Sequence, residues 1–131
     1  MRKKKNSPIF VTESDYNQLT ELIKRQGDTE AADNLDEELS RADIIAKGKS
    51  RKNVVCLNST VTYRDNDNNA ETRVTVVMPQ DANIEQAKVS VLSPVGSALI
   101  GLKKNGYIEW PLPNGAIKRL TIVEIEHPED E

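Results

Sequence analysis

The 131-residue sequence predicts an α+β protein: a short antiparallel helical hairpin, then an antiparallel sheet domain with one short helix. Three observations predict this. Apolar residues recur at helical spacing as far as Ala46, and at alternate positions from Val54 onward. Between the two regimes lies the polar, basic run Lys47-Gly48-Lys49-Ser50-Arg51-Lys52-Asn53, which reads as a hinge. The chain accordingly divides into a basic tail (1–11), a helical hairpin (12–50) and a sheet domain (51–131).

Thr12-Glu13-Ser14-Asp15 reads as the first helix start. A hydroxyl at the cap and an acid three residues on can satisfy orphan amides, and acids suit the positive end of the helix dipole. Tyr16, Leu19, Leu22 and Ile23 supply its apolar side, and Gly27 stops it. A second helix starts near Asp28 or Thr29 with the stripe Ala32, Leu35, Leu39, Ala42 and Ala46, the spacing of a narrow coiled-coil seam.

In the back half, Val54, Cys56, Val61 and Tyr63 alternate as strand residues. Asp65-Asn66-Asp67-Asn68-Asn69 is a polar turn, and Val74, Val76 and Met78 form the return strand before Pro79. Lys88 to Leu92 is another strand. Ser93-Pro94 then has the form of an N-cap followed by proline at the first helical position, with Gly101 as the stop. Tyr107 to Leu112 and Ala116 to Glu126 flank Pro113-Asn114-Gly115, a hairpin signal. The last strand is apolar on both faces, Leu120 and Ile122 against Val123 and Ile125, which predicts a central position in the sheet.

Composition narrows the function. The net charge of −3 argues against a general nucleic-acid coat protein, whose affinity rests on neutralising phosphates. One cysteine, Cys56, permits no internal disulfide, and no apolar run is long enough to span a bilayer. A basic start followed by Asn6-Ser7-Pro8 does not have the pattern of a secretory signal, so the expectation is a soluble cytoplasmic protein. His127, the single histidine, falls in a charged tail, and Cys56 reads as a small buried residue without a histidine partner. There is no Cys/His set for zinc, and Gly96, Gly101 and Gly106 fit no phosphate loop. The expectation is no catalytic residue, no metal and no cofactor. Asp28, Glu30 and Asp33 lie at or beside the hairpin turn, where acids could approach a hard cation if other groups completed the set.

The run Val89-Ser90-Val91-Leu92-Ser93-Pro94-Val95-Gly96-Ser97-Ala98-Leu99-Ile100-Gly101 resembles the signature of the C-terminal domain of the GreA/GreB elongation factors. Asn58-Ser59-Thr60-Val61, Asp81-Ala82-Asn83-Ile84 and Pro113-Asn114-Gly115 stand where that family has similar segments, so the resemblance covers nearly all of 54–126. The Rnk family is the nearer match. Its members look like a Gre factor with a shortened coiled coil, and Ala31 to Ala42 resembles the second helix of that hairpin.

The resemblance implies an FKBP-like domain that docks on RNA polymerase at the rim of its secondary channel. It carries the docking surface to Ser93 and Pro94, with Val95 and Gly96 beside them. GreB-like sequences place an acid before the Ser-Pro, where this chain has Leu92. Gre cleavage factors also have longer arms, which bring paired acids to the polymerase's magnesium. The resemblance therefore implies a monomeric bacterial regulator that occupies the channel entrance without stimulating cleavage and competes with Gre-type factors. The alternatives are an adaptor for another protein, such as nucleoside diphosphate kinase, and a prolyl isomerase of FKBP type. The isomerase reading meets a chain with only five aromatic residues.

Overall fold

The computed structural model describes residues 9–46, 52–111 and 113–128. Its first elements are strand β1 (Phe10–Thr12), helix α1 (Glu13–Gln26), helix α2 (Glu30–Ser40) and strand β2 (Asp43–Ile45). Thr12 caps α1, its Oγ1 accepting from the amide of Asp15 at 3.1 Å. Thr29 caps α2 in the same way, accepting from Ala32 at 3.1 Å. Gly27 ends α1 at a φ of 71°, a left-handed value that glycine adopts without steric cost. The expected hairpin is present.

Two expectations for the front half need correction. Ile9 and Val11, placed in the basic tail by the sequence reading, are buried, and β1 pairs in parallel with β2. The second helix ends at Ser40 instead of running on to Ala46. Parallel pairing needs a long crossover, and the helical hairpin is that crossover. Ending α2 early lets Asp43–Ile45 return beside β1 and close the base of the hairpin. The hinge residues 47–51 lie outside the described residues.

The back half is a five-stranded sheet in the order β5-β4-β3-β7-β6. The strands are β3 (Thr60–Asp65), β4 (Glu71–Val77), β5 (Lys88–Ser90), β6 (Tyr107–Pro111) and β7 (Ile117–Glu126), with helix α3 (Pro94–Leu99) after β5. The sheet is mixed, not antiparallel throughout, because β5 runs parallel to β4. Single 3-10 turns at Pro79–Asp81 and Ile84–Gln86 carry the chain back so that β5 starts level with Thr75. Residues 54–57 are not the expected alternating strand. Val54, Val55, Cys56 and Leu57 are all buried, as a linking segment covered on several sides.

β7 does have neighbours on both sides, but the reason differs from two-faced burial. Its register with β3 shifts between Thr62 and Tyr63, so Val123 is an extra, bulged residue. Leu120 and Ile122 face inward before the bulge. After it, Ile125 comes opposite the fully buried Val61. A bulge thus turns one inward face into an apparently two-faced pattern. On the other face, Arg73 pairs with Glu126 at 2.6 Å, and Arg119 pairs with Glu109 while lying over the Tyr107 ring.

One apolar cluster joins the two halves. Leu19, Leu22, Leu35 and Leu39 of the hairpin pack with Val55, Leu57, Val61, Leu99 and Ile122. The helices therefore lie on the sheet layer as well as on each other.

Candidate functional site

The segment leading into α3 is locked by short local bonds. The Oγ of Ser93 accepts from the amide of Gly96 at 3.0 Å and donates to the carbonyl of Ser90 at 2.6 Å. The amide of Ser93 meets the same Ser90 carbonyl at 2.9 Å, and the Ser90 hydroxyl accepts from the amide of Leu92 at 3.0 Å. Pro94 occupies the first helical turn, where its missing amide costs nothing. The cap, proline and stop read from the sequence are all present.

This turn exposes an apolar surface. Pro94 is exposed, Leu92 and Val95 are half-buried, and Gly96 is buried beneath them. No residue from Val89 to Leu102 is charged, in a chain with 30% charged residues. The Ser93 hydroxyl is committed to both its cap and Ser90, so it is not a free nucleophile. The arrangement suits rigid contact with another surface, not bond making.

The tip acids are elsewhere. Asp28, Glu30 and Asp33 lie at the turn between α1 and α2, all exposed. Among the described residues, no group of three or more His, Cys, Asp or Glu side chains converges as a metal site. No described helix is long and apolar enough to cross a membrane.

Asp15 and His127 are among the buried polar groups that the sequence did not reveal. Asp15 is a buried residue whose Oδ2 accepts from the amide of Leu57 at 2.9 Å. Its spacing to Leu19 and Leu22 places it on the buried stripe, a signal obscured by its role in the first turn. His127, expected in a charged tail, is buried with its Nδ1 2.7 Å from the Oγ of Ser59. That Oγ also accepts from the amide of Cys56 at 2.9 Å. Ser59 is fully buried, so this is an internal polar link between β7 and the segment before β3. Tyr63 and Trp110 pack against the core, while Tyr107 lies against Arg119.

Comparison with known proteins places this architecture. Residues 50–127 match the family described as transcription elongation factor, GreA/GreB, C-term, and residues 7–45 match the Rnk N-terminus. The regulator of nucleoside diphosphate kinase of Escherichia coli (strain K12) is 38% identical over 97 residues, which are 73% of this chain and 71% of that protein. The transcription elongation factor GreA of Azorhizobium caulinodans is 35% identical over 91 residues, or 70% of this chain and 57% of that one. The solved structure of a prokaryotic transcription elongation factor GreA/GreB from Nitrosomonas europaea matches with a TM-score of 0.74 at 36% identity. That match covers 92% of this chain and 98% of that one. With its hairpin matched at one end and its sheet layer at the other, the chain belongs to the Rnk family and carries a GreA/GreB C-terminal domain.

Proposed function

We propose that this protein binds RNA polymerase at the rim of the secondary channel and regulates transcription there without stimulating transcript cleavage. Docking runs through Ser93, Pro94 and Val95, with Gly96 buried beneath them as support and not as the contact the sequence resemblance implied, while the hairpin stands at the channel entrance. The observation that carries this reading is the length of α1, which has 14 residues. At about 1.5 Å per residue, that arm is roughly 21 Å long. The Gre cleavage factors that the chain resembles use longer arms to bring acids to the polymerase's magnesium. Here Asp28, Glu30 and Asp33 sit at the end of a short hairpin that also packs on its own sheet layer. Such a protein blocks the channel by occupancy and competes with the longer factors.

The test is a backtracked elongation complex with magnesium present. The protein alone should leave cleavage unchanged, and in excess it should slow cleavage stimulated by a true Gre factor. Strong cleavage by the protein alone would overturn the reading. The name of the Escherichia coli relative favours a second one, regulation of a nucleoside diphosphate kinase. A pull-down with purified polymerase and purified kinase in separate arms decides between them.

A further inference from the structure

Two hydrogen bonds from the back half take hold of the hairpin near its start. The amide of Phe10 donates to the carbonyl of Gly101 at 2.9 Å. Five residues on, Asp15 Oδ2 accepts from the amide of Leu57 at 2.9 Å, a bond between residues 42 apart in sequence. Phe10 lies on the strand entering the helix and Asp15 in the helix's first turn. One tether leaves a rod free to pivot about it, whereas two in succession set its direction.

The rest of the buried face of α1 works differently. Its buried residues are Asp15, Leu19 and Leu22, so Asp15 is the single polar member. Apolar burial is strong but non-directional and holds the helix down more than it sets its angle. A leucine at position 15 would extend the stripe and bury more apolar surface. A carboxylate there must be desolvated, and only its bonds to the chain offset that cost. What the carboxylate contributes in exchange is direction.

We infer that Asp15 is a positioning residue whose carboxylate fixes the angle between the helical hairpin and the sheet layer. Docking through Ser93 and Pro94 then delivers the tip at Asp28, Glu30 and Asp33 to one place. This last step rests on the channel-entrance reading proposed above; the fixed angle does not.

The test uses the full chain with spin labels on Gln26→Cys and Glu71→Cys, both exposed positions, while Cys56 is buried. Asp15→Asn keeps a carbonyl oxygen in place. Asp15→Glu keeps the charge near the helix start but moves the carboxylate one methylene outward. Asp15→Ala removes the acceptor. The label-to-label distance should be single and narrow in the parent protein and in Asp15→Asn, and broad in Asp15→Glu and Asp15→Ala. A narrow distribution at the parent distance in folded Asp15→Glu overturns the inference. Should Asp15→Ala fail to fold, the contrast between Asn and Glu still decides. In the polymerase assay, folded Asp15→Glu should compete less well than the parent. If the productive angle is populated about a tenth of the time, it should need roughly tenfold more protein to halve Gre-stimulated cleavage. If the parent protein does not bind polymerase at all, the channel reading fails while the distance measurement still judges Asp15.

Discussion

The backbone of α3 crosses β5 so closely that a Cβ on Gly96 would stand 2.0 Å from the carbonyl oxygen of Ser90. The next nearest atoms, the Ser90 carbonyl carbon at 2.8 Å and the Val91 Cα at 3.0 Å, are also backbone. That same Ser90 carbonyl accepts from both the amide and the hydroxyl of Ser93. The close approach therefore builds the turn that exposes Pro94.

Gly96→Ala should be strongly destabilising. Overpacking costs typically about 1–3 kcal/mol and occasionally more, and here no side chain can swing aside. A urea melt reads the loss. A midpoint equal to that of the parent would show that α3 can lift off β5 at no cost.

Ser93 and Pro94 should separate stability from binding. Ser93→Ala removes a cap worth roughly 0.5–2 kcal/mol and lowers the melting temperature. Pro94→Ala regains only a spare amide at the first helical position and should leave the melting temperature nearly unchanged. If docking uses the rigid exposed ring, the same variant weakens polymerase binding. Unchanged affinity in Pro94→Ala assigns the turn to helix capping and removes it as the docking site.

Ser59→Ala tests the polar link at the end of β7. It removes the buried hydroxyl that the amide of Cys56 and Nδ1 of His127 share. Each lost hydrogen bond costs about 0.5–1.5 kcal/mol. The expected reading is a lower urea midpoint with an unchanged slope, since the exposed surface on unfolding stays the same. No shift in midpoint would mean that water replaces the hydroxyl freely.

Residues 52–131 expressed alone should be much less stable than the full chain. The cut removes Ile9, Val11, Leu19, Leu22, Leu35 and Leu39 from the shared cluster. At about 1.5–3 kcal/mol for each large apolar side chain, the loss is on the order of 10 kcal/mol, as large as a typical domain's whole stability. Near-ultraviolet circular dichroism and a thermal melt provide the check. A cooperative melt near that of the full chain would make the sheet domain independent and the helices an appendage.

Local chemistry was enough to place most elements. Thr12 as a cap, a second helix start near Asp28 or Thr29, Gly27 and Gly101 as stops, and Ser93-Pro94 as a helix start depend on a few adjacent residues, and all were legible in the sequence. The acids Asp28, Glu30 and Asp33 at a tip followed from the same short-range reasoning. What the sequence by itself could not decide depends on partners far along the chain. Asp15 looks like a dipole acid until Leu57, 42 residues away, donates to it. His127 looks like part of a charged tail until Ser59, 68 residues away, receives it. The early end of α2 follows from pairing between β2 and β1, and the two-faced appearance of β7 follows from a bulge at Val123. Helix caps and turns are short-range and leave a residue pattern. Register, parallel pairing and buried polar contacts are long-range, and only the folded chain brings those residues together.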